Sequence, residues 1–177
     1  MAITKLQAES LNLADDFTFT GTVAGAGESN VPAFLAKLSS NGTTAHGSNT
    51  KVAFNTEEYD TNSAYDTSNY RFTVPAGQAG KYCFYWNVAV AAGDNLLYRI
   101  YTSIYKNGSN YYYGGFTDWT NQAYRNLDNR NGVVIVPANA GDYFECYVYI
   151  QSGGIGTIYQ SNAGGTVSYF GGYKLTT

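Results

Sequence analysis

The stretch from Phe54 to Trp86, FNTEEYDTNSAYDTSNYRFTVPAGQAGKYCFYW, limits what this chain can fold into more than any other. Its aromatic residues are spaced so that they can point inward from consecutive strands of a sandwich. In its final run Tyr82, Phe84 and Trp86 alternate with other residues, the spacing at which side chains on a strand share a face. No apolar period of about 3.6 persists anywhere in the chain, so an all-β protein is expected.

From Val31 onward, short apolar-alternating runs are separated by turn signals, the pattern of an antiparallel sandwich. VPAFLAKLS sets Phe34, Ala36 and Leu38 against Ala33, Leu35 and Lys37. LLYRIYTSIYK places Leu96, Tyr98, Ile100, Thr102 and Ile104 on one face, and Asn107-Gly108 supplies a hairpin turn. NGVVIVP, DYFECYVYI, GTIYQ and TVSYFGGYKL read as later strands. Residues 1–30 differ. There Leu6, Leu11, Leu13, Phe17, Phe19 and Val23 are too widely spaced to form a core of their own. Two units are therefore expected: an N-terminal attachment or collar segment at 1–30 and a sandwich domain at 31–177.

Composition narrows the function. Charged residues make up 13% of the chain, about half the usual share of roughly 25%, while 18 tyrosines supply much of the apolar area. The net charge of −3 comes without a Lys/Arg cluster, which argues against nucleic acid as a partner. No apolar run approaches the roughly 20 residues of a membrane-spanning helix, so membrane insertion is not expected. MAITKLQAESLNLADD lacks the basic start, apolar run and cleavage site of a signal peptide. With Met1 as the natural start, that implies synthesis in a cytoplasm; a processed chain is the alternative. Cys83 and Cys146 fall in expected strands, where two buried free thiols are favoured over one disulfide.

Phe54, Asp60, Tyr65 and Phe72, followed by Gly80, Tyr82, Phe84 and Trp86, resemble the signature of the C1q domain family, relatives of tumour necrosis factor. There are two departures. TVPAGQA, between Phe72 and Gly80, is two residues longer than the family spacing, and Trp86 stands where the family has Phe or Tyr. SIYKNG is similar to the family's L-x-K-N-G hairpin, and GVVIVPANAGDYFECYV to a later strand pair that turns at Gly-Asp, here Gly141-Asp142. FGGYKL is similar to its closing strand, so the resemblance runs over roughly residues 31–175. It implies a ten-stranded antiparallel jelly-roll sandwich, C1q/TNF-like, assembled as a homotrimer. The wealth of Tyr, Phe and Trp agrees with a need for a partner, because large exposed apolar patches mark interfaces. By the same resemblance Phe144, Tyr147, Tyr169 and Phe170 are expected at the trimer interface. Residues 1–30, with ITKLQAESLNL before FTFTGTVAGAG, are similar to collar segments that precede knobs in phage fibre proteins.

No catalytic residue is expected. The only histidine, His46, lies in the polar loop NGTTAHGSN without a partner motif such as G-x-S-x-G. Glu57, Glu58 and Asp60 form the densest acidic group but read as a solvated turn. No phosphate-binding or dinucleotide fingerprint occurs. No metal ligand is assigned; Ca²⁺ near the trimer axis is the one cofactor the resemblance leaves open. Asp94, Asp128 and Asp142 lie near expected loops but lack EF-hand spacing.

Residues 110–132 mix aromatics with Asn, Asp, Gln and Arg, a mixture suited to sugar rings and their hydroxyls. Tyr111, Tyr112, Tyr113, Trp119, Tyr124 and Arg125 are the expected ligand contacts, with packing in the sandwich as the competing role. The whole reads as a non-enzymatic, homotrimeric virion appendage, a phage fibre knob or decoration protein made in a host cytoplasm. It would join other virion structural proteins through residues 1–30 and bind host-surface polysaccharide or another receptor. The alternative is an extracellular C1q-like recognition or signalling protein whose leader has been removed.

Overall fold

A computed structural model describes residues 31–92, 96–119, 125–159, 161–162 and 165–175. The segment 1–30, with the collar expected there, lies outside the described residues. Among the described residues, strands are the only regular elements. The first seven are β1 (Ala33–Lys37), β2 (Gly42–Thr44), β3 (Asn49–Lys51), β4 (Thr56–Asp60), β5 (Tyr65–Asp66), β6 (Arg71–Thr73) and β7 (Gly80–Ala92). The next four are β8 (Arg99–Lys106), β9 (Ser109–Asp118), β10 (Leu127–Ala138) and β11 (Tyr143–Gln151). β12 (Gly156–Ile158), β13 (Ser161–Asn162), β14 (Gly165–Thr166) and β15 (Tyr169–Lys174) complete the set.

A seven-stranded sheet runs β2-β12-β7-β15-β1-β4, with β10 also paired to β7. A six-stranded sheet runs β5-β6-β11-β8-β9, with β3 also paired to β11; β13 and β14 form a separate hairpin. Among the described residues fifteen segments appear where ten strands were expected; in part this is because two long strands have an edge shared by shorter pieces. β15 covers Tyr82 to Asn87 of β7 and β12 covers Val90 to Ala92. Likewise β6 covers Tyr143 and Phe144 of β11, and β3 covers Tyr147 to Tyr149.

The core lies between the sheets, and the alternation read from the sequence fills it. Tyr82, Phe84 and Trp86 all point inward and are buried. Phe34 stacks on Phe72 at 4.8 Å between ring centres and meets the edge of Phe170 at 5.0 Å, while Phe84 lies 4.4 Å from Phe144. Each such ring contributes roughly 1.5–3 kcal/mol by leaving water. On β8 the expected inward face holds for Ile100, Thr102 and Ile104. Ahead of the strand Leu97 is the buried residue, so the alternation does not extend back to Leu96 and Tyr98.

Both departures from the family signature have a structural reason. In the longer segment, a turn at Gly77 (φ +74°) presents the Gln78 carbonyl, which accepts a 2.6 Å hydrogen bond from the Tyr82 hydroxyl. Burial pushes that phenol up to about 12. Trp86 donates from Nε1 to Thr102 Oγ1 at 2.8 Å, tying the two sheets together. Its larger ring occupies the space left by two glycines: a Cβ on Gly132 would come within 2.2 Å of it, and one on Gly114 within 2.7 Å. Gly114 sits in an irregularity between β8 and β9, where the register passes from Tyr101 opposite Phe116 to Ser103 opposite Tyr113.

The turn expected at Asn107-Gly108 forms as read. Asn107 (φ +53°) and Gly108 (φ +79°) make a two-residue hairpin between Lys106 and Ser109. Asp142 braces it, accepting from Asn107 Nδ2 and the Asn139 amide, both at 2.8 Å, and pairing with Lys106 at 2.8 Å. The lysine and the two hydrogen bonds lower its carboxyl to about 2.

Candidate functional site

Five of the six residues expected to bind ligand are described, and they fall in two places. Tyr111, Tyr112 and Tyr113 are exposed near the hairpin end of β9. Trp119 follows the other end of that strand, roughly 20 Å away at about 3.3 Å per residue. There it is half-buried against the core, with the Arg125 guanidinium 5.2 Å and the Arg130 guanidinium 5.3 Å from its ring centre. Arg130 is held by Asp128 and by Thr117 Oγ1 at 2.6 Å. Trp119 and Arg125 therefore meet as expected, while the three tyrosines stand apart from them. Tyr124 lies outside the described residues.

The four residues expected at a trimer interface divide among three environments. Phe144 and Phe170 are 0% exposed inside the protomer's own core, which corrects their placement. On β11 and β15 they belong to the inward set, and a one-residue slip in reading a strand exchanges its faces. Tyr169 points outward from the seven-stranded sheet, its ring 6.3 Å from that of Tyr85. Tyr147 points outward from the six-stranded sheet, stacked on Tyr105 at 3.9 Å.

The outer face of the seven-stranded sheet follows from the core-facing set. Because Tyr82, Phe84 and Trp86 face inward, Cys83 and Tyr85 face outward. Pairing then aligns Val133, Tyr85, Gly171, Leu35 and Tyr59 across β10, β7, β15, β1 and β4. A second row aligns Ile135, Cys83, Tyr173 and Ala33. Val133 is 70% and Ile135 56% exposed. Tyr85 lies flat over Gly171, where a Cβ would sit 2.4 Å from its ring, and its hydroxyl is 3.3 Å from that of Tyr59. Burial and that hydrogen bond raise the Tyr85 phenol well above its ordinary value. Beside it opens a groove of about 490 Å³ lined by Leu35, Lys37, Glu58, Tyr85, Thr166 and Tyr169. Tyr59, Tyr85, Val133 and Ile135 were missed in the sequence. For Tyr85 the signal was present, since it alternates with Phe84 and Trp86.

The remaining candidates are absorbed by the fold. His46 Nδ1 accepts a 3.1 Å hydrogen bond from the Ser152 amide. Glu57, Glu58 and Asp60 lie along strand β4 and not in a turn; Glu58 pairs with Lys37, and Asp60 accepts from the Tyr65 amide at 2.7 Å. Cys83 and Cys146 are free and buried, and burial raises the Cys146 thiol well above its usual value. Asp94 lies outside the described residues. Among those described, no three His, Cys, Asp or Glu side chains gather as a metal site would require.

Two antiparallel sheets, closed by a last strand between β1 and β7, define a jelly roll of the C1q and tumour necrosis factor type. The C1q domain model matches residues 33–175, and the chain belongs to the C1q domain family. Among curated proteins it is similar to the phage-like element PBSX protein XkdV of Bacillus subtilis (strain 168), 33% identical over 130 residues. That match covers 70% of this chain and 18% of XkdV. Protein YqcC of the same strain is 32% identical over 114 residues, which cover 62% of this chain and 30% of YqcC. The chain thus spans less than a third of either relative. Among solved structures, the globular domain of zebrafish complement 1qA is similar at a TM-score of 0.53 and 14% identity, covering 81% of this chain and 97% of that one. Murine APRIL at pH 5.0 gives 0.58 and 10% identity, covering 81% and 98% respectively. At such identities these two likenesses establish the fold.

Proposed function

We propose that this chain is the C1q domain of a phage-type particle protein, a homotrimer that binds host-surface polysaccharide or another surface receptor. The outer face of the seven-stranded sheet is the observation that carries the assembly. Val133 and Ile135, exposed beside Tyr85, Leu35 and Tyr59, form an apolar surface of the kind that marks an interface. A threefold assembly through this face would cover it and keep the groove near Tyr169 at the subunit boundary. Similarity to XkdV supports the particle, and with it a place in the virion and attachment to other particle proteins through residues 1–30. The domain acts by binding, without catalysis or a cofactor. Three copies on one particle multiply weak contacts into firm attachment.

Light-scattering mass tests the assembly. The protein should run as a trimer, and the double variant Val133→Asp/Ile135→Asp should run as a folded monomer. Both positions are exposed in the protomer, so the fold tolerates the charges. A double variant with trimer mass, or a native protein with monomer mass, would overturn the reading.

A further inference from the structure

The geometry points to a sugar-binding shelf on the outer face of the six-stranded sheet, one that takes a neutral polysaccharide chain; we propose this site as the recognition surface. The assignment rests on the polysaccharide reading above and gives it a location. Six rings, Tyr101, Tyr105, Tyr113, Phe116, Tyr147 and Tyr149, stand outward on three adjacent strands. They are arranged against each other and not singly. Tyr101 stacks on Tyr149 at 4.6 Å with planes 5° apart, and Tyr105 on Tyr147 at 3.9 Å. Tyr101 also meets Phe116 at 6.0 Å and the edge of Tyr113 at 5.3 Å. Phe116 and Tyr113 are 57% and 64% exposed, so the shelf opens to solvent along β9.

The charges beside these rings indicate what fits. Lys51 pairs with Glu145 at 2.9 Å and Arg99 with Asp118 at 2.6 Å, so these ionic groups beside the rings neutralise one another in pairs. Such a surface offers nothing to an acidic or basic partner that its own ion pairs do not already supply. A neutral sugar complements it: pyranose C–H groups rest on the exposed rings of Tyr113 and Phe116, and sugar hydroxyls reach the tyrosine hydroxyls. A polar group at the centre of this face is unmatched. Ser103, opposite both Tyr113 and Tyr147, is fully buried at the centre of the shelf, and its Oγ has no hydrogen-bond partner. A hydroxyl entering between the rings would supply one. The rings are already fixed by stacking and carry few rotatable bonds, so little conformational freedom is lost when a ligand lands on them.

The test uses the full chain on an array of immobilised neutral hexose and N-acetylhexosamine oligosaccharides, with uronic-acid and sulfated sugars printed alongside. The native protein should bind neutral sugars, and the double variant Tyr113→Ser/Phe116→Ser should bind them at least tenfold more weakly. Circular dichroism and mass should be unchanged, because both side chains are exposed; Tyr113→Ser alone gives a smaller step in the same direction. Unchanged binding by the double variant would overturn the shelf while leaving the polysaccharide reading intact. Binding confined to the acidic sugars would overturn the neutral ligand and the shelf with it. Binding to no sugar at all would overturn both the polysaccharide reading and the shelf.

Discussion

The two outer faces of this sandwich are built by the same alternation and are both rich in tyrosine, yet they differ in what surrounds the rings. On the seven-stranded sheet Tyr85 and Tyr59 share rows with aliphatic Val133 and Leu35, and Tyr85 lies flat over a glycine. On the six-stranded sheet the tyrosines stack on one another beside Lys51–Glu145 and Arg99–Asp118. An aliphatic face gains only when water leaves over a wide area, which suits another copy of the chain. Rings set among ion pairs keep their own partners while wet, which suits a ligand that comes and goes. Tyrosine content alone therefore says little about a surface; the neighbours of each ring decide its use.

The sharpest way to break this comparison uses two adjacent residues. Phe170→Asp should leave no folded protein by circular dichroism, because truncating such a core ring alone costs about 3–5 kcal/mol and the charge adds to that. Tyr169→Asp should fold normally and shift the light-scattering mass from trimer towards monomer. The opposite pair of outcomes would mean that the faces of β15 are exchanged. A middle-sized effect belongs to the six-stranded face. Lys51→Met strands Glu145, which is 4% exposed, and should lower stability to urea by about 1–3 kcal/mol with trimer mass unchanged.

The smallest effect lies at the hairpin brace and depends on pH. Asp142 has a folded-state pKa of about 2, below its ordinary 3.8, so the fold favours its ionised form. Its contribution is complete above about pH 4 and fades as pH falls towards 2. Asp142→Asn should cost about 1 kcal/mol at pH 7. The gap in melting temperature between variant and native protein should close over that acid range, and a gap independent of pH would refute the charge-based account.

The core was legible where alternation and a turn agreed. Tyr82, Phe84 and Trp86 declared a face, and Asn107-Gly108 declared the return of the chain. Legibility failed where nothing nearby fixed the phase. In DYFECYVYI and SYFGGYKL aromatics occupy both faces, so the hydrophobic pattern cannot say whether Phe144 or Tyr147 points inward; only pairing with neighbouring strands settles it. The candidate site suffered for a second reason. Tyr111 to Arg125 are close in sequence, but an extended strand carries residues apart at about 3.3 Å each, so proximity in sequence became distance in space. The shelf rings come from three strands, and no local window contains them.

One feature of the pairing also sets an order of events. β15 lies between β7 and β1, so that Phe170 faces Trp86 on one side and Ala36 on the other. While the chain is still emerging from the ribosome, both of those earlier strands have a bare edge waiting for residues 169–174. Closure must span more than 130 positions between β1 and β15, a separation that slows folding and leaves open edges free to pair with other chains. The nascent domain thus stays an unfinished sheet until residues 169–174 emerge, and only then can the sandwich shut.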